Sequence, residues 1–371
     1  MTRLSSENRA IGSKVTARKV VAVLGLIVLV AIAAEVTVRV EDWVRYRAPL
    51  GRSLRDQSDL SILDATGRHP MAGRRFQKWS INSVGTRGPE PDPSRVGSRV
   101  IVAGASETFG LYESPNAEYP RQLADTLARL GCSADVLNAG FPGMSLPTVD
   151  QDLRLRLSGL KPRVVVYYPT PQQYAEELPH AVIPDSSGRP TAPEPAWRLR
   201  FTSRAYNQLK AMLPFVSDFL RRRDIAAKRA GKPDSWLYRT IPEGHVNAFE
   251  ADLRTLVGSI RSSGATPVLV THANGFSGSL PMGGNTLRAW ERFYPRATGE
   301  ALVQLDSLTA DRIRRVAADS GVALVDAWQA FHGVRAKDYF ADFSHFTDRG
   351  AGRMAGLLAP VVAASLGCGA A

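Results

Sequence analysis

Three short segments of this 371-residue chain carry side chains that could together attack an acyl group. The first, Gly104-Ala105-Ser106-Glu107-Thr108-Phe109-Gly110, sets a serine between glycines directly after the apolar run Val100–Ala103. The last, Asp342-Phe343-Ser344-His345-Phe346-Thr347, places a carboxylate three residues before an imidazole. At that spacing Asp342 can hold Nδ1 of His345 while Nε2 faces a nucleophile, the arrangement a serine needs to lose its proton. Between them lies Asn138-Ala139-Gly140, continuing into Phe141-Pro142-Gly143, where a glycine lets backbone N–H groups come close to a ligand. Each segment alone says little. Gly-x-Ser is common in loops, and Asp, Ser and Thr are ordinary residues at the start of a helix. Glu107, Asn138 and His272 are further candidates for lining a substrate pocket, although His272 also reads as a satisfied polar residue at a strand end.

What joins the segments is the pattern of elements around them. Short apolar runs at Val100–Ala103, Ala134–Leu137, Val164–Tyr168, Thr266–Thr271 and Val322–Val325 read as buried strands. Stretches with helical spacing alternate with them: Tyr119–Leu130, Thr148–Leu160, Phe249–Arg261, Ala301–Ser320 and Asp348–Leu366. Strands alternating with helices predict an α/β fold, a three-layer α/β/α sandwich on a five-stranded parallel, flavodoxin-like sheet. In such sheets ligands bind beyond the carboxyl ends of the strands. Ser106, Gly140 and His272 all follow a strand, and Asp342–His345 precedes the closing helix.

In this order and placement the blocks resemble the SGNH hydrolases, also called the GDSL family: Ser after the first strand, Gly after the second, Asp-x-x-His before the last helix. The resemblance spans residues 81 to 366. Asn82-Ser83-Val84-Gly85-Thr86-Arg87-Gly88 is similar to a lead-in seen in many exported bacterial members, and Glu118-Tyr119-Pro120 matches the start of their first helix. The resemblance implies an ester-cleaving enzyme with Ser106 as nucleophile, His345 as base and Asp342 as its partner. It also implies an oxyanion hole built from the N–H groups of Ser106 and Gly140 and a side-chain amide after the third strand. Two departures stand out. Ala105 replaces the usual Asp of Gly-Asp-Ser, and Pro169-Thr170-Pro171-Gln172-Gln173 replaces Gly-x-Asn-Asp. Counted from the strand start, Gln172 occupies the place of the oxyanion Asn and still offers an amide donor.

The rest of the chain bears on where such an enzyme would work. Val20 to Ala34 is unbroken apolar sequence, extended by Val36, Val38 and Val40 across Glu35 and Arg39. Arg3, Arg9, Lys14, Arg18 and Lys19 precede it against the single acid Glu7, which keeps that end in the cytoplasm. Residues 1–19 are then a cytoplasmic tail and 20–40 a single-pass signal anchor in the inner membrane. A juxtamembrane linker and lead-in follows at 41–98, and a hydrolase domain at 99–368 outside the cytoplasm. A cleaved signal peptide ending near Ala31-Ile32-Ala33 is the rival reading.

The formal net charge is +12, with 39 Arg and 8 Lys. Much of it sits in an insertion at 173–246: between Trp197 and Arg239 there are 11 Lys plus Arg against 3 Asp, a net of +8. Leu209, Met212, Leu213, Val216, Phe219 and Leu220 make a helical stripe there. The segment reads as a lid, as a contact with an anionic membrane or acidic polymer, or as an amphipathic helix with a solvated basic face. Export and the absence of any recognition motif exclude nucleic acid as partner. Two cysteines, Cys132 and Cys368, fit no zinc spacing and no disulfide framework, and a bond between them is not expected. No phosphate-binding glycine loop and no metal-ligand spacing is present, so no cofactor or metal is expected. The partners anticipated are the membrane and an acylated glycan or other ester. An acyltransferase using the same triad, or a tethered glycan-binding or assembly protein on a degenerate scaffold, remains open beside the esterase.

Overall fold

The computed structural model describes residues 3–368 apart from Glu177, Ile183, Asp185, Ser186 and Ser279. In chain order the helices are α1 (Arg3–Tyr46), α2 (Ser106–Phe109), α3 (Tyr119–Arg129), α4 (Leu146–Leu155), α5 (Arg200–Met212) and α6 (Pro214–Arg229). They continue with α7 (Glu243–Ser262), α8 (Gly284–Phe293), α9 (Gly299–Ser320), α10 (Ala327–His332), α11 (Ala336–Tyr339) and α12 (Asp348–Leu366). The strands are β1 (Ser61–Asp64), β2 (Gly67–Pro70), β3 (Arg75–Phe76), β4 (Trp79–Ser80), β5 (Arg99–Gly104), β6 (Asp135–Asn138), β7 (Val164–Tyr168), β8 (Thr266–Val270) and β9 (Ala323–Val325). The chain divides into two units, one of residues 1–55 with 195–214, the other of 56–194 with 215–371.

The smaller unit is built on α1. From Lys19 to Tyr46 this helix is long and apolar enough to cross a membrane, and its valines, leucines and isoleucines between Val20 and Ile32 are exposed. The side chains of Arg3, Arg9, Lys14 and Arg18 lie outside the described residues. Glu35 and Arg39, the charges that interrupt the apolar run, are buried within the unit and pair with each other at 2.6 Å. Glu35 also accepts from the N–H groups of Arg200 and Phe201 at the start of α5. Arg39 donates to the carbonyls of Leu50, Gly51 and Arg198 and stacks on Trp197 at 3.9 Å. The helix therefore runs past both charges, because their polar groups are satisfied where lipid could not satisfy them.

The larger unit holds the sheet. Its strand order is β6-β5-β7-β8-β9, and every pairing is parallel. This is the flavodoxin-like order expected from the sequence, with the topological switch beside β5 and β7. Both of those strands are buried along their whole length. Val100, Val102, Val164, Val166, Val268 and Val270 face α3 and α12 through Leu123, Leu127, Leu358 and Val362. β7 and α12 have the boundaries anticipated from the sequence.

The structure departs from the sequence reading in three places. Residues 61–80, read as irregular lead-in, form two antiparallel hairpins, β1–β2 and β3–β4. Strands of two to four residues are too short to show a period. The insertion's helical stretch is broken before Pro214 into α5 and α6, and Met212 and Phe219 from its stripe are exposed; the Leu209 side chain lies outside the described residues. Asp218 and Asp224 of α6 pair with Arg288 and Arg292 of α8, so the basic helix is fastened to the domain by its few acids.

Third, Cys132 and Cys368 are joined in a disulfide, their Cα atoms 5.5 Å apart. The bond closes the end of α12 onto the turn after α3, across a separation of 236 residues. Such a bond stabilises by about 2–4 kcal/mol, mainly by restricting the unfolded chain. Cys368→Ser should therefore melt at a clearly lower temperature than the oxidised wild type. Identical melting of the oxidised and reduced proteins would show that the bond contributes nothing.

Candidate active site

Ser106 is the first residue of α2, immediately beyond the end of β5, and its side chain is partly exposed. The residue before it, Ala105, takes the N-cap place and offers no side-chain cap. The Ser106 N–H is left without a partner among the described residues. The turn is instead held from outside. Asn138 Nδ2 donates to the Thr108 carbonyl at 2.9 Å, and Trp79 Nε1 donates to the Gly110 carbonyl at 3.0 Å. Arg87 donates to the carbonyls of Phe109 and Gly110 and pairs with Glu118 at 2.9 Å. The Asn82–Gly88 lead-in thus has a physical task, which is to fix the Ser106 turn against the start of α3.

His345 lies in the loop before α12. Its Nδ1 is 2.9 Å from both carboxylate oxygens of Asp342, and Asp342 Oδ1 also accepts from the N–H groups of Ser344 and His345. The imidazole is thereby oriented through one nitrogen, while Nε2 is buried and has no hydrogen-bond partner. Burial disfavours a charged ring here, but Asp342, and behind it Glu107 and Glu113, raise its proton affinity above that of an ordinary imidazole. Tyr112 and Phe343 stand edge-on to the ring at 5.4 and 5.8 Å. The histidine loop is tied to the serine turn by a hydrogen bond from Ser344 Oγ to Glu107 Oε1, 2.8 Å. Nucleophile candidate and base candidate are each the neighbour of one end of that bond.

Not every anticipated donor is free. Gly140 was expected to give its N–H to an oxyanion, but that N–H donates to Asn138 Oδ1 at 3.0 Å. Gly140 is needed for space: a Cβ there would lie 2.5 Å from Thr108 Cβ and 2.7 Å from the Phe109 nitrogen. Gln172 was expected to aim its amide at the same place. It is fully buried, and its Nε2 donates to Asp306, leaving its oxygen without a partner. A buried carboxylate is a stronger acceptor than a neutral carbonyl, so Asp306 fixes which way the amide points.

Glu107, Asn138 and His272, candidates for an accessible pocket, are instead 2%, 3% and 1% exposed. Asn138 bridges α2 and Gly140. Glu107 and His272 belong to a buried chain of charges under the serine. Glu107 Oε2 accepts from Ser106 Oγ at 3.2 Å and from Thr170 Oγ1 at 3.0 Å. Its Oε1 lies 3.8 Å from His272 Nε2, an ion-pair distance too long for a hydrogen bond, and Nε2 is otherwise without a hydrogen-bond partner among the described residues. His272 Nδ1 in turn sits 2.9 and 3.0 Å from the two oxygens of Asp306, which also accepts from Asn274. Burial opposes the charge on His272, yet Asp306 and Glu107 together push its pKa up to about 9. Burial likewise opposes ionisation of Glu107, but His272, His345 and Ser344 hold its carboxyl far below the usual range.

Asp306, Thr170, Asn274 and Ser344 were missed in the sequence. Only Asp306 carried a signal: it falls on the buried face of α9, between Leu302, Leu305, Thr309 and Ile313, where an unpaired acid is not tolerated. A separate cavity of about 460 Å³, lined by Glu90, Asp92, Arg121, Asp125 and Asp135, involves the start of β6, not the strand end that carries Ser106.

No family model matches the chain, and no curated protein matches it. Among solved structures it is similar to a lipase/acylhydrolase from Enterococcus faecalis at 15% identity and a TM-score of 0.42, over 71% of this chain and 94% of that one. It is similar also to a GDSL-like lipase from Bacteroides thetaiotaomicron (13%, TM-score 0.40, 75% and 93%). A third is a catalytic mutant of an acetylxylan esterase from Geobacillus stearothermophilus (13%, TM-score 0.40, 73% and 95%). At these identities the likeness concerns the fold.

Proposed function

We propose that this chain is a membrane-anchored serine esterase that removes O-acyl groups, acetyl above all, from a glycan outside the cytoplasm. The observation that carries the reading is His345, held through Nδ1 by both oxygens of Asp342 with Nε2 unpartnered, in a loop tied to the Ser106 turn by the Ser344–Glu107 hydrogen bond. A buried nitrogen with nothing to bind is costly unless a reacting group uses it. His345 would take the Ser106 proton as Oγ attacks the ester carbonyl, then return it to the leaving alcohol. Water would repeat the sequence on the acyl-enzyme. The Ser106 N–H is the donor available to the oxyanion in the resting structure; Gly140 and Gln172 would have to leave their present partners to join it.

Three further observations support the location. α1 is apolar over a membrane-spanning length, cations precede that apolar stretch, and Cys132–Cys368 is a bond that persists in oxidising compartments. A glycan substrate fits the resemblance, the proposed location and the basic insertion. The test is hydrolysis of small acetate and butyrate esters and release of acetate from an O-acetylated polysaccharide by the full chain in detergent. Wild type should turn over both, and Ser106→Ala neither, with unchanged melting. Equal turnover by the Ser106→Ala protein would overturn the reading.

A further inference from the structure

Beneath the serine lies a second set of ionisable groups that the proposed triad does not use. Glu107, His272 and Asp306 are 2%, 1% and 0% exposed and follow one another in space as carboxylate, imidazole, carboxylate. Burying three ionisable groups is expensive, and a well-packed apolar cluster would serve stability as well or better. Their placement is also specific. Of all acceptors near the Ser106 hydroxyl, the one it bonds to is Glu107 Oε2, at 3.2 Å, while His345 Nε2 has no partner. Thr170 and Ser344 donate to the same carboxylate from the loop after β7 and the loop before α12, so Glu107 joins the loops that border the site.

We propose that Glu107 is a further catalytic carboxylate acting on the Ser106 hydroxyl, with His272 and Asp306 as its positioning residues; this rests on Ser106 being the nucleophile. In the resting enzyme Glu107 accepts the hydroxyl hydrogen bond and fixes the Oγ rotamer. When an ester arrives, the Oγ–H turns to His345 Nε2. The proton moves to that nitrogen as the bond from Oγ to the acyl carbon forms and the carbonyl electron pair moves onto oxygen. Glu107 takes no proton at any stage. Its negative charge favours the imidazolium that His345 becomes, alongside Asp342 and Glu113, with the Tyr112 ring packed on the outer side. The positive charge of His272, held by Asp306, offsets Glu107 on its other flank, so that the carboxylate does not repel the developing oxyanion unopposed.

The test reads the pH dependence of Ser106 itself, without knowledge of the natural substrate. The second-order rate of modification by a fluorophosphonate is measured across pH for the full chain in detergent. In wild type the rate should rise with pH as His345 loses its proton. Glu107→Gln keeps the shape but removes the anion, so His345 should release its proton more readily. The acid limb should move down by about 1 pH unit. His272→Gln removes the cation that stabilises the Glu107 anion, so any shift of the acid limb it causes through Glu107 should vanish when Glu107→Gln is already present. The double variant Glu107→Gln/His272→Gln should match Glu107→Gln alone and, carrying no buried charge mismatch at that pair, keeps the test readable if either single variant folds poorly. A folded Glu107→Gln or double variant whose acid limb coincides with that of wild type would overturn the inference, leaving Glu107 a packing residue. A wild type that is never modified would instead overturn the serine esterase reading.

Discussion

Asp342→Asn should lower kcat by about 10⁴ while leaving the fold and KM close to those of wild type. In wild type both carboxylate oxygens lie 2.9 Å from His345 Nδ1, so that nitrogen carries the proton and Nε2 presents its lone pair. An Asn in the same place can still accept from the Ser344 and His345 N–H groups with its oxygen, preserving the loop. Its NH₂ group would then face Nδ1 and favour the other tautomer, with the proton on Nε2. A base whose lone pair points the wrong way cannot take the Ser106 proton, and it cannot stabilise the imidazolium either. The measurement is steady-state hydrolysis of an acetate ester with melting recorded in parallel. A loss of less than tenfold in a folded Asp342→Asn protein would remove Asp342 from the mechanism.

Asp306→Ala should destabilise the larger unit by about 3–5 kcal/mol. Asp306 is fully buried and accepts from His272, Gln172 and Asn274 together. Truncation would leave an imidazolium and two amides without the carboxylate that accepts from them. The wild-type pair also makes stability depend on pH. His272 has its pKa raised from 6.5 to about 9 in the folded protein. Its contribution is therefore complete below about pH 6.5 and is lost as pH rises through about 9. The Asp306→Ala protein should show a clearly smaller alkaline loss, with Glu107 left as the remaining cause. Denaturant titrations at pH 6 and pH 10 check both points. A variant as stable as wild type, or one with the same alkaline decline, would show that the buried chain is not held by Asp306.

The architecture was legible because it rests on periodicity. β7 and α12 begin and end at the residues expected, since continuous apolar sequence and an N-cap at Thr347 mark them unambiguously. The pairing of Asp342 with His345 was legible for a similar reason, being local in sequence. What escaped was everything set by direction or by long-range contact. Gln172 stands at the end of β7 as counted, but counting does not say where a side chain points, and Asp306 on α9 claims its amide. Gly140 was legible as a glycine that must be there; the crowding by Thr108 and Phe109 that requires it was not. Cys368 looked unpaired because its tail of small residues shows nothing of the turn at Cys132 that α12 carries it to. Glu107 was visible only as a candidate pocket residue next to the serine, and only the fold sets His272 against it.

All of the proposed chemistry depends on Ser106 being a nucleophile activated by His345. The measurement that tests it most directly is peptide mass spectrometry of the full chain after reaction with a fluorophosphonate. A single adduct should map to Ser106 in the peptide that follows β5, formed rapidly by wild type and at least about 10³-fold more slowly by His345→Ala. An unmodified wild type, an adduct on another residue, or equal labelling of the His345→Ala protein would contradict it.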